Sequence, residues 1–164
     1  MIAFLQSLFR RPAPAILDAR ASDAAALARV HADAYRHGWS ESEFERLLAE
    51  RNTVCHVARG NGGTGPVSGF ILSRVVEDEA EILMVAVARN EQGRGLARQI
   101  LARHLGRLAA QGARNVFLEV DEGNSSAIRL YMKAGFEQVG QRPGYYAEAG
   151  KPAAAALIMR RCLG

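Results

Sequence analysis

The spacing of apolar positions changes period several times along this chain, and each change marks an element. Alternation or short apolar runs over "TVCHVAR" (53–59), "VSGFILSRVV" (67–76), "EAEILMVAVA" (79–88) and "NVFLEVD" (115–121) predict strands. Shorter candidates are "AILDAR" (15–20), "GFEQVGQR" (135–142) and "AAAALIMRR" (153–161). Helical spacing predicts the rest. "SDAAALARVHADAY" (22–35) opens on Ser22 as its expected cap and brings Ala25, Leu27, Ala28, Val30 and Ala34 to one side. "SESEFERLLAE" (40–50) starts at Ser40, with Glu43 placed to complete a capping box. The longest helix is expected over 94–111, where Ala97, Ile100, Leu101, His104, Leu105 and Leu108 form an apolar stripe and Gly112 supplies the stop. A last helix, "SSAIRLYMKA" (125–134), follows Asn124.

The connections sharpen this order. The acidic turn at 77–79 joins two strands as an antiparallel pair. "GNGGTGP" (60–66) reads as a hairpin turn and not as a phosphate loop, because no Gly-Lys-Ser/Thr follows it. No internal repeat or linker interrupts the chain, so the expectation is one α/β domain over 15–164 behind an extension at 1–14.

Composition changes the picture in a few respects. A chain of 164 residues with 49% apolar and 23% charged residues suits a single packed core. Its 21 Lys and Arg exceed 17 Asp and Glu by four, but they are spread along the chain, which favours an anionic ligand or a partner near nucleic acid without demanding either. Cys55 and Cys162 are far apart and lack metal-ligand spacing, so neither zinc nor a disulfide is expected and a reducing cytoplasm fits. In "MIAFLQSLFRRPAPA" the apolar residues precede the charges, the reverse of a signal peptide, and the run is too short to span a bilayer. It reads as a loosely ordered extension or as an amphipathic turn for a membrane or partner surface.

The stretch with the most specific chemistry is "NEQGRGLARQIL" (90–101). The first N–H groups of a helix lack partners, and the helix dipole adds roughly half a positive charge there. Two glycines let an anion approach that backbone, and Arg94 and Arg98 add charge. A dinucleotide fingerprint would need a third glycine where Arg98 stands, so that reading fails. Gln92-Gly93-Arg94-Gly95-Leu96-Ala97 instead resembles the coenzyme A pyrophosphate loop of the GNAT family of N-acetyltransferases. The resemblance extends through "ILMVAV" before the loop and "NVFLEVDEGNSSAIRLYMKAGFEQVG" after it, covering 79–142. It implies a mixed, mostly antiparallel central sheet flanked by helices, with acetyl-CoA as co-substrate and no metal.

Within that family, "GWSESEF", the Leu-Glu-Val, Asn and Leu-Tyr spacing, and "GYY" before "ALIM" resemble the enzymes that acetylate the amino-terminal alanine of a small-subunit ribosomal protein. The resemblance implies a protein N-terminus as acceptor, with no direct part for nucleic acid or membrane. The backbone of Val85, Ala86 and Val87 would hold the pantetheine arm and thioester, Gln92 to Arg98 the pyrophosphate, and Asn124 the coenzyme as well. Glu119 would be general base and Tyr131 general acid. Trp39, Tyr145 and Tyr146 would border the acceptor groove, the last two from a loop.

The residues also admit plainer roles. Glu119 shares its strand face with Phe117 and Asp121 and would also suit a solvated position; the Tyr131 ring would suit the core; Asn124 is a good helix cap; Trp39 would pack as a hydrophobic staple; and the tyrosine pair would make a surface corner. The acid–base chemistry leans towards an α-amine, whose pKa is roughly 8, over a lysine near 10.4. Alternatives are a GNAT enzyme acting on a small amine or on lysine side chains, and a non-catalytic acetyl-CoA sensor. None of His31, His37, His56 and His104 is expected in catalysis, and Cys55 has no His–acid partner in sequence to make it a nucleophile.

Overall fold

A computed structural model describes residues 12–35, 37–146 and 154–164, with backbone alone at 145, 146 and 154. Seven strands form one sheet: β1 Ala15–Asp18, β2 Thr53–Arg59, β3 Val67–Val76, β4 Glu79–Val87, β5 Asn115–Asp121, β6 Glu137–Tyr146 and β7 Ala154–Cys162. Their order is β1-β2-β3-β4-β5-β7-β6, antiparallel throughout except where β4 runs parallel to β5. Four α-helices complete the fold: α1 Ala24–Ala34, α2 Glu41–Ala49, α3 Leu96–Ala110 and α4 Ser125–Lys133. This is the expected α/β arrangement, and α3 is the crossover that lets β4 and β5 run parallel.

The helices divide between the two faces. α3 and α4 set Ile100, Leu101, Leu105, Leu108 and Tyr131 against Ile71, Val116, Leu118 and Val120. α1 and α2 set Leu27, Val30, Phe44 and Leu47 against Val57, Phe70, Leu72, Met84 and Ala86. Fully burying each large aliphatic side chain is worth about 1.5–3 kcal/mol, so the expected α3 stripe is the main anchor of that helix. His104 belongs to the stripe because its polar atoms are satisfied: Nε2 meets the Ser73 hydroxyl at 2.7 Å and Nδ1 meets His56 Nδ1 at 2.8 Å. His56 Nε2 in turn lies 3.2 Å from Asp18, though not in hydrogen-bond alignment.

Three details correct the sequence reading. Ser22 does not cap α1; it lies in a 3-10 turn, and buried Asp23 accepts the Arg20 N–H there and pairs with Arg59. α3 begins at Leu96 and not at 94, because Gly93 and Gly95 both have positive φ and cannot be helical. "GYY" is not a loop: β6 continues to Tyr146, bent by the irregular register between Arg142 and Tyr146. The capping box at Ser40 is present, with Ser40 N–H on Glu43 at 2.7 Å.

What positions the site is a separation within the sheet. β4 and β5 pair only from Glu79–Asn115 to Ile82–Leu118. At that level Leu83 is an extra residue against β3, since Ser73 faces Ile82 and Leu72 faces Met84. A bulge bends and twists its strand, so the upper half of β4 leaves β5 and a cleft opens between them.

Candidate active site

The cleft has a volume of about 770 Å³ and is walled by β4, the turn after it, the start of α3, the end of β5 and α4. Ala88 N–H bonds to Ser68 O, which makes 68 and 88 a hydrogen-bonded pair. By alternation, Ala86 turns its peptide groups to β3, while Val85 and Val87 turn theirs into the gap. Both exposed carbonyls have donors: Gln92 Nε2 reaches Val87 O at 3.0 Å and the Tyr35 hydroxyl reaches Val85 O at 2.9 Å. The Val85 and Val87 N–H groups lie beyond the last β4–β5 pair and are the donors this wall presents.

At one end of the cleft, the two glycines answer why a helix mouth should carry both. Gly93 has φ +74° and Gly95 φ +77°, left-handed values that side chains resist, and together they turn the chain so that α3 points its N-terminus at the cleft. The unpaired N–H groups of α3 and the Arg98 side chain make this end electropositive. Arg94 does not join them: its guanidinium is mostly exposed and pairs with Glu91 at 3.3 Å.

At the other wall, β5 and α4 bring Glu119, Asn124 and Tyr131 to the same cleft. Glu119 projects from the face opposite Val116, Leu118 and Val120, as alternation predicts, and its carboxylate meets Arg142 at 3.1 Å. Asn124 caps α4 by accepting the Ala127 N–H at 3.1 Å, so the plainer role is realised and the residue still borders the cleft. Tyr131 is buried, with its ring edge-on to Phe136 at 5.7 Å.

Of the predicted residues, Val85, Ala86, Val87, Gln92, Gly93, Gly95, Leu96, Ala97, Arg98, Glu119, Asn124 and Tyr131 all border one cavity. Trp39 does not. It stands one residue before the Ser40 cap and packs its ring 5.8 Å from Phe44, the staple arrangement. The Tyr145 and Tyr146 side chains lie outside the described residues. Cys55 is buried on β2 away from the cleft, and burial, with Asp23 adding, pushes its thiol well above the ordinary range, which is wrong for a nucleophile. Sequence reasoning missed Tyr35 and Arg142. The only signal for Tyr35 was an exposed-looking aromatic after a helix; nothing local pointed to Arg142.

A long cleft with strand amides along one side and a helix N-terminus at its end suits an extended thioester donor bearing a pyrophosphate. Comparison with known proteins agrees, since residues 24–136 match the acetyltransferase (GNAT) family model. The chain belongs to the GNAT family. It is an acetyl-CoA-dependent N-acetyltransferase. Over 125 residues, 76% of this chain and 82% of the relative, it is 30% identical to the ribosomal protein bS18-alanine N-acetyltransferase of Escherichia coli K12. It is 36% identical over 127 residues, 77% of each chain, to the N-alpha-acetyltransferase RimI of Mycobacterium tuberculosis. The crystal structure of the ribosomal-protein-S18-alanine N-acetyltransferase from Escherichia coli superposes with a TM-score of 0.84 at 26% identity, covering 92% of this chain and 94% of that one.

Proposed function

We propose that this GNAT enzyme transfers the acetyl group of acetyl-CoA to the α-amine of a protein N-terminus, a ribosomal protein beginning with alanine, by direct attack in a ternary complex. The observation that carries the reading is the convergence of Glu119 and Tyr131 on the cleft lined by Val85, Val87 and the α3 N-terminus. The names of the relatives support the acceptor class.

In this reading the Gly93–Arg98 turn holds the pyrophosphate with α3 N–H groups and Arg98. The strand amides of Val85 and Val87 hold the arm and donate to the thioester oxygen as it gains charge. Glu119 takes the proton that makes the amine neutral, directly or through a water. The amine nitrogen forms the new bond to the acetyl carbon and sheds its second proton to solvent, the carbon–sulfur bond breaks, and Tyr131 gives its phenol proton to the departing thiolate and is reprotonated from solvent. Asn124 borders the coenzyme, and Tyr145 and Tyr146 border the acceptor. Trp39 serves the acceptor side indirectly, through the packing around His31.

The test is acetyl transfer to short peptides that differ in their first residue, beside internal-lysine peptides and spermidine, followed by coenzyme A release and product mass. Preference for alanine-starting peptides is the expected result. Preference for free amines or internal lysine would keep the fold and the donor site and discard the protein N-terminus.

A further inference from the structure

Tyr35, just past the end of α1, forms with Ala34 the only described part of the cleft wall that comes from the α1–α2 side. Its hydroxyl donates to the Val85 carbonyl at 2.9 Å. Chemistry fixes the direction of this bond, because a carbonyl can only accept. The phenol proton is committed to β4, and what Oη has left is acceptor capacity. Burial raises the phenol above its ordinary pKa, so the proton stays on and the direction holds at neutral pH.

The ring is also anchored from behind. It stacks on His31 with centroids 4.7 Å apart, and the Tyr35 N–H bonds to His31 O at 2.9 Å. His31 Nδ1 accepts the Trp39 N–H at 2.9 Å, which places the imidazole proton on Nε2; burial, partly opposed by Glu43, favours that neutral form. Tyr35 is 46% exposed, yet it is held at the ring and at the hydroxyl. Such a residue presents one oxygen in a fixed place to an open cavity, which Glu119 also borders.

We infer that Tyr35 Oη is a substrate-positioning group that accepts an N–H from the incoming amine. The cleft then offers two acceptors, Oη and the Glu119 carboxylate, to a nitrogen that carries two or three hydrogens. An alcohol, with a single O–H, can engage only one of the two and is held less well. The inference rests on the amine-acceptor reading above, but not on which amine is used.

The variant is Tyr35→Phe, which keeps the stacked ring and removes the oxygen. Steady-state rates are measured with the amine varied at saturating acetyl-CoA and with acetyl-CoA varied at saturating amine. We expect kcat/KM for the amine to fall about three- to tenfold, the loss of one hydrogen bond, while the acetyl-CoA KM stays within twofold and the melting temperature is little changed. Wild-type kinetics for the amine would overturn the inference. So would a rise confined to the acetyl-CoA KM, since the hydroxyl would then serve only to brace β4. The ratio is read on the best acceptor of the wild type: alanine peptides left inert beside an acetylated free amine would sink the protein-N-terminus reading, with Tyr35 still judged by its own ratio.

Discussion

Alanine at Gly95 and alanine at Gly106 add the same methyl group to open space, for an added Cβ meets nothing within 4 Å at either position. Any difference in stability between the two variants therefore comes from the backbone. Gly95 has φ +77°, where an L-residue costs roughly 1–2 kcal/mol. Restricting the unfolded chain returns about 0.4–1 kcal/mol, so the net loss at Gly95 is about 1 kcal/mol. Gly106 lies inside α3 on its exposed side, where alanine is better than glycine by about 0.8–1 kcal/mol. The two substitutions should differ by about 2 kcal/mol with opposite signs. In a chain of this size each kcal/mol moves Tm by about 2–4 °C. Urea and thermal unfolding of the two variants beside the wild type measure this directly. The acetyl-CoA KM should rise in Gly95→Ala alone, because the left-handed turn aims the α3 N–H groups at the cleft. Gly95→Ala as stable as the wild type, or both variants shifting in the same direction, would refute the account of the glycine turn.

Other consequences can be checked separately. Glu119→Gln and Tyr131→Phe should each lower turnover while acetyl-CoA binding by calorimetry stays near that of the wild type; undiminished turnover in both would remove the acid–base assignment. His104 is held down to about 3 by burial, with His56 adding, and His56 is lowered by burial, opposed by Asp18 and reinforced by Arg103 and Arg107. The folded state thus resists protons that the unfolded state takes up below about pH 6.5, so stability is present above that pH and falls as the pH drops, by about 1.4 kcal/mol at pH 5.5 for His104, with His56 adding in the same direction. Thermal unfolding from pH 7.5 to 5 should show it, and a His56→Gln, His104→Gln variant that lost stability just as steeply would contradict it. Asp23→Ala should cost about 2–4 kcal/mol in urea unfolding, since Asp23 is buried and its loss strips Arg59 and the Arg20 N–H of their partner. Trp39→Ala should lower Tm through the lost contact with Phe44 and leave the acetyl-CoA KM unchanged; a raised acetyl-CoA KM at wild-type Tm would argue against the staple.

The elements, the capping box at Ser40 and the glycine turn at Gly93 and Gly95 were legible because each depends on neighbours within one or two turns of chain. Period, cap and positive φ are local properties, and the α3 stripe names its own buried face. Alternation along β5 likewise sets Glu119 on the face opposite Leu118 and Val120 from local pattern alone. The sequence by itself determined these, and with them the resemblance that pointed to acetyl-CoA.

Tertiary structure decided the rest. The bulge at Leu83 is defined only by the register of β3 against β4, and the cleft it opens exists only because β5 stops pairing with β4 at Leu118. Tyr35 and Val85 stand fifty residues apart in the chain, and Arg142 reaches Glu119 from a strand on the far side of β7. Only the fold shows the Trp39 ring against Phe44 and the Arg94 guanidinium beside Glu91. A side chain's neighbours along the chain set its element and its face. Which distant group it meets depends on how the strands are ordered and where they part, and local pattern carries no record of that.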